Sequence, residues 1–234
     1  MSPGRKTAGT LALVGGGEWS VSSRALDESL LAASSSTEVC VLPTAAAFEG
    51  AAAVVERARA WFETLGASVV EIPVLHRRDG EADALLRRVR DASFLYVADG
   101  SPLHLRSVLK GSPLFDAMVA AYRGGAVLAA SGAGATVLCD PMVDPRGGAY
   151  TVGLGVVSGL AVFPYHGSAA QHLRERSLEL LPRDAVLAGV DEHTALVRAP
   201  GGEWRATGPG VVTLYRRDAQ PETVQDSVIS TLKM

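Results

Sequence analysis

The stretch Val127–Leu138, reading VLAASGAGATVL, has the ingredients of a catalytic elbow. An apolar run, a turn of very small residues and a helix start together lift one central side chain above the end of a sheet. The backbone N–H groups just past such a turn point at an oxygen on which negative charge develops, the geometry that acyl transfer needs. Ala129-Ala-Ser-Gly-Ala133 fits the small-x-nucleophile-x-small spacing with Ser131 at its centre. Three other loops that follow apolar runs are equally rich in small residues: Gly15-Gly-Gly-Glu18, Pro43-Thr-Ala-Ala46 and Ala98-Asp-Gly-Ser101. Small residues let a backbone come close to a ligand. The glycine triplet lacks the GxGxxG spacing of a dinucleotide site and reads as a tight strand-to-helix turn.

Other titratable residues read less sharply. His104 follows Asp99-Gly-Ser-Pro-Leu at a helix start that faces a pocket mouth, a position for ligand contact. Arg174 and Arg176 lie on a charged helix face from which a guanidinium can reach a carboxylate. His76 and His172 sit in charged stretches as solvated groups, and His193 falls in a turn between strands. Cys40, mid-strand, and Cys139, about two turns past the elbow in an apolar helix, read as small buried hydrophobes. No Cys/His spacing suits a metal, so neither metal nor cofactor is expected.

The elements that must position these residues follow one pattern, a short apolar run and then a longer amphipathic stretch. Apolar runs at Leu11–Val14, 38–42, 67–72, Phe94–Val97 and 126–130 predict five buried strands. Helices are predicted from Ser23 through Leu31, over 46–65 with Val54, Val55, Ala58, Trp61, Phe62 and Leu65 at helical spacing, over 81–90, and as one or two helices over 101–122. Strands apolar on both faces that alternate with helices imply a parallel sheet covered on both sides. The expected architecture is an α/β three-layer sandwich with a mostly parallel central sheet. Residues 141–155 read as a loop, followed by strands at 160–163 and 185–190 around a helix at 169–181. A terminal meander at 194–197 and 210–215 completes the chain, and no linker divides residues 1–234, so one domain is expected.

Composition narrows the class. In 234 residues, 47% are hydrophobic and 20% charged, enough apolar material to build a large core. Twenty-two Lys and Arg against 25 Asp and Glu give a formal charge of −3, with no basic excess to grip nucleic acid or an anionic membrane. Only two cysteines, both in apolar runs, point to a reducing compartment rather than a disulfide framework. The polar opening Met1-Ser-Pro-Gly-Arg-Lys-Thr-Ala8 lacks the apolar core of a signal peptide, and no run reaches the ~18 apolar residues of a membrane span. A cytoplasmic protein is expected.

Five segments occur in an order that resembles the dipeptidase E and cyanophycinase peptidase family, peptidase family S51. They are Gly15-Gly-Gly-Glu18, Leu42-Pro-Thr-Ala-Ala46, Asp99-Gly-Ser-Pro-Leu-His-Leu105, Ser131-Gly-Ala-Gly-Ala135 and Asp191-Glu-His-Thr-Ala-Leu196. The resemblance spans about residues 11–215 and implies a fold similar to class I glutamine amidotransferases. It also implies a Ser-His-acid hydrolase that cleaves next to aspartyl residues, acts on a small-molecule or peptide substrate, and forms a homodimer.

The departures from that pattern set the alternatives. The family elbow, Gly-x-Ser-Ala-Gly-Ala, lies over Ala130-Ser-Gly-Ala-Gly-Ala135, which puts Gly132 at the nucleophile position. A glycine has no side chain with which to form an acyl-enzyme. The oxyanion loop, Gly-Gly in the family, reads Asp99-Gly100, and a carboxylate facing that pocket opposes a developing oxyanion. The resemblance makes Asp99, Gly100, Ala133 and His104 the oxyanion and substrate positions. The histidine expected as Pro-His or Gln-His comes one position late, in Phe163-Pro-Tyr-His166. In one reading, Ser131 replaces the lost serine with His166 as base and Asp140 or Asp144 as its orienting acid. In a second, the chemistry is lost and the pocket binds a small acidic or peptide-like ligand or supports a partner enzyme. A third runs new chemistry from Asp99 with His104 or His166 as acid and base.

Overall fold

The computed structural model describes residues 7–232 and 234, so the opening Met1–Lys6 lies outside the described residues. Strands β1 (Leu11–Val14), β2 (Glu38–Leu42), β3 (Ser68–Glu71), β4 (Phe94–Val97) and β5 (Val127–Ser131) pair in parallel in the order β1-β5-β4-β2-β3. Three antiparallel strands extend the β1 edge: Ala195–Arg198, Trp204–Thr207 and Val228–Ile229. The chain therefore forms the mixed α/β sandwich with a large, mostly parallel central sheet that the apolar runs imply. A four-stranded second sheet takes up the strands expected at 160–163, 185–190 and 210–215 as Leu160–Phe163, Val186–Val190 and Val212–Tyr215 and adds Glu222–Val224, so 210–215 does not form a meander with Ala195–Arg198, which joins the large sheet.

Alternation on β1 shows how the sheet is buried on both sides. Leu11 and Leu13 join one apolar cluster, with Leu128 of β5, while Ala12 and Val14 join another, with Val127 and Phe94. Side chains alternate across a strand, so a run with no polar residue fills two layers at once. Each fully buried Leu or Val there contributes about 1.5–3 kcal/mol.

Helices α1 (Arg24–Ala33), α2 (Ala51–Glu63) and α3 (Asp83–Asp91) follow the first three strands. On α2, Val54, Ala58 and Phe62 recur every four residues on the buried face, and the Phe62 ring meets Trp19, Phe94 and Tyr96 edge-on. The start expected at Ala46 is instead a short 3-10 turn, Thr44–Ala46, whose Thr44 hydroxyl donates to the Val74 carbonyl at 2.5 Å, and α2 begins only after Gly50, whose φ of +96° breaks the helical path.

The 101–122 stretch is two helices, α4 (Pro102–Leu109) and α5 (Pro113–Arg123). Each opens Ser-Pro, with the serine hydroxyl accepting a backbone N–H (His104 to Ser101, 3.3 Å; Phe115 to Ser112, 3.1 Å) and proline at the first helical position. Helix α6 (Ala133–Leu138) is shorter than expected, and Cys139 lies not in a helix but in a two-residue strand with Asp140. The 141–155 segment is a loop that carries a short pairing of Met142–Val143 with Tyr150–Thr151. The helix expected over 169–181 is α7 (Gln171–Glu179). Among the described residues no helix is long and apolar enough to cross a membrane.

Candidate active site

The carboxyl ends of the parallel strands are where ligands bind in open α/β sheets, and the predicted elbow is there. Gly132 separates β5 from α6 with φ +47° and ψ −104°, a left-handed backbone that side chains rarely adopt. Its N–H donates to the Val14 carbonyl at 2.9 Å, which ties the turn to β1. A Cβ built on Gly132 would overlap the Asp99 carboxyl carbon and both carboxylate oxygens.

That carboxylate is itself held by the elbow. The N–H groups of Gly100 and Ala133 both donate to Asp99 Oδ1 at 2.7 Å. The Tyr165 hydroxyl donates a short hydrogen bond to Oδ2. Asp99 was expected to oppose an oxyanion, and here it takes the two donors an oxyanion would use. Tyr165 is set for this role by φ +54° and by its N–H donating to the Gly15 carbonyl at 2.7 Å. Its ring lies on Gly16, where a Cβ would run into it. Burial first, then the bond to Asp99, pushes the Tyr165 hydroxyl well above its ordinary pKa, so it remains a donor.

Ser131 is fully buried, and its hydroxyl donates to Glu18 Oε2 at 2.7 Å. The other oxygen of Glu18 accepts the Asp99 N–H at 3.4 Å and lies 3.7 Å from Arg57, whose guanidinium covers the Trp19 ring. Ser131 thus braces the underside of the elbow through Glu18, with no hydrogen bond to His166.

His166 is arranged with other residues than those expected. Its Nε2 lies 2.9 Å from the Tyr215 hydroxyl and its Nδ1 3.5 Å from Asp191 Oδ1, too long for a good hydrogen bond. Asp191 Oδ1 is buried with no hydrogen-bond partner among the described residues, whereas Oδ2 accepts the Val211 N–H at 3.1 Å. Burial lowers the His166 pKa and outweighs the nearby Asp191, so the ring is neutral at pH 7 and able to accept a proton.

Neither acid proposed to orient His166 reaches it. Asp140 accepts the Gly153 N–H at 3.1 Å. Asp144 pairs with Arg146 at 2.5 Å, and that hydrogen bond keeps its carboxyl below the usual range. His104 is also placed otherwise: its Nε2 sits 2.8 Å from the Leu75 carbonyl and its ring packs on exposed Phe48 and on His76. The sequence reading missed Tyr165, Asp191 and Tyr215, although the first two stand inside segments singled out for their neighbours. Among the described residues no group of three or more His, Cys, Asp or Glu is placed to hold a metal.

Two cavities meet at Asp99. One, of about 250 Å³, has walls from Val143, Pro145, Phe163, Ala169 and Leu173. The other, of about 620 Å³, is more polar, with Glu18, Ser20, Arg57 and His193 on its lining. Asp99, Gly100 and Tyr165 line both, so the Tyr165–Asp99 bond is part of the wall between them.

The mixed α/β sandwich with a large, mostly parallel central sheet places the chain in the fold class of peptidase E-like proteins. A family model for peptidase family S51 matches residues 11–202, and the chain belongs to that family. Cyanophycinases from Trichormus variabilis and from Nostoc sp. are each 27% identical to it over 164 residues, covering 65% of this chain and 55% of theirs. The chain thus spans about half the length of the curated relatives it matches. A crystal structure of a peptidase from an acI-B1 Actinobacterium superposes with a TM-score of 0.86 at 27% identity, covering 97% of this chain and 98% of that one. A Listeria monocytogenes EGD-e protein described as a peptidase E superposes at 0.60 and 17% identity, covering 89% and 98%, and shares the fold.

Proposed function

We propose that this member of peptidase family S51 has given up covalent serine catalysis and uses the site to bind a small amino-acid- or peptide-like ligand. The observation that carries this reading is the Asp99 carboxylate, held by Gly100 and Ala133 N–H groups in the space a side chain at position 132 would need. An acyl-enzyme requires a nucleophile and an empty oxyanion cradle together, and this elbow offers neither. Ser131 supports the same reading. It is fully buried and committed to Glu18, a bracing role rather than that of an attacking hydroxyl. The buried free thiols of Cys40 and Cys139 fit a reducing, cytoplasmic setting.

The test is intact mass after incubation with a fluorophosphonate. The wild type is expected to stay unmodified under conditions that fully label an active serine hydrolase. An adduct mapped to Ser131 would overturn the proposal and establish a displaced nucleophile.

A further inference from the structure

We infer that the apolar cavity beside Asp99 takes a ligand joining a cationic ammonium to an aliphatic or aromatic side chain, such as an amino-acid amide or the first residue of an apolar peptide. The inference rests on the binding reading above and names its ligand class. The cavity is walled by Val143, Pro145, Phe163, Ala169 and Leu173, and among the described residues its only charged lining groups are Asp99 and Asp144. At about 250 Å³ it has room for roughly one residue, below the ~300–1,000 Å³ of drug-sized sites.

The charges decide which end of a ligand enters. Asp144 is already paired with Arg146, so Asp99 is the free anchor. A carboxylate offers about four acceptor positions. Gly100, Ala133 and Tyr165 fill three on Asp99, which leaves one on Oδ2 for an incoming ammonium. A ligand carboxylate in the same place meets the Asp99 charge among apolar walls, and the neighbouring Arg146 is already taken up by Asp144. Of the small acidic or peptide-like ligands expected for a pocket that has lost its chemistry, the acidic one is thus disfavoured by this lining.

Isothermal titration calorimetry with L-leucinamide, N-acetyl-L-leucine and L-aspartate tests this directly. Leucinamide is expected to bind, with affinity falling about tenfold or more in Asp99→Asn, a loss the size of one hydrogen bond to a charged group. The two carboxylates are expected to give no heat of binding. Leu173→Arg, which puts a cation in the wall, is expected to abolish leucinamide binding, and it carries the test if Asp99→Asn does not fold. Equal or tighter binding of either carboxylate overturns the inference. So does leucinamide affinity that neither substitution changes, or no binding of any of the three. Loss of the underlying reading shows separately, as a fluorophosphonate adduct on the wild type.

Discussion

The Asp99 carboxylate fills the space above Gly132 and draws the N–H of the next residue, Ala133, to 2.7 Å. One side chain thereby takes both the volume of a missing nucleophile and a hydrogen bond of its cradle. Restoring the serine alone should therefore fail. Gly132→Ser is expected to lower stability by about 1–3 kcal/mol, the usual cost of overpacking, and to remain unlabelled by a fluorophosphonate. The double variant Asp99→Gly with Gly132→Ser clears the space, and is expected to recover stability relative to Gly132→Ser and to acquire an adduct at position 132. Thermal unfolding and intact mass read both outcomes, and equal labelling of the single and double variants would contradict the steric argument.

Ser131 makes a different prediction if its role is structural. Ser131→Ala removes a buried hydrogen bond to the Glu18 carboxylate, and is expected to cost about 1.5–3 kcal/mol in denaturant unfolding. The loss should come with no change in leucinamide binding larger than the loss of stability explains. A neutral substitution would show that the hydroxyl braces nothing.

Asp27 gives the fold a pH dependence of unusual sign. Buried on α1, it accepts the Trp61 indole N–H at 2.8 Å, and its other oxygen has no hydrogen-bond partner among the described residues. Burial pushes its carboxyl up to about 7 from an ordinary 3.8. Between those values the folded chain keeps a proton that the unfolded chain has released, so this group's stabilisation is full below pH 4 and declines as pH rises toward 7. Comparing Asp27→Asn with wild type across that range should show the variant losing less stability. Parallel curves would mean that Asp27 is ionised in the fold.

His166 should titrate below an ordinary histidine, because burial outweighs Asp191. Removing that opposing charge with Asp191→Asn should lower the midpoint further, as read from the imidazole proton shifts by NMR. A rise in the variant would mean that Asp191 is not the charge beside the ring. Because the neutral ring is favoured in the fold, this group's contribution is kept at high pH and lost as pH falls through the histidine range.

Much of the architecture was legible because β1, β4 and β5, and most of β2, are apolar on both faces, a signal that needs no tertiary context. The start of α4 near Ser101 was equally local, whereas the break before α5 was left open between one helix and two. The antiparallel edge was harder to read: Trp204–Thr207 has a polar residue at alternate positions and borrows its burial from Ile229, twenty-five residues later. The site followed the same division. Gly132 and Asp99 could be picked out from their own segments, but their mutual overlap is a contact across two loops that no spacing reveals. The partners of His166 were missed for that reason too, since Tyr215 comes from a strand of the second sheet.

The overlap between positions 99 and 132 also restricts the order in which their substitutions can accumulate. A serine at 132 and an aspartate at 99 compete for one volume, so each is costly while the other is present. A lineage moving between the two arrangements by single steps passes most easily through glycine at both positions, a state with an open cradle and no nucleophile. Such an intermediate neither hydrolyses nor holds its own plug, and selection could keep it only for the pocket it still encloses.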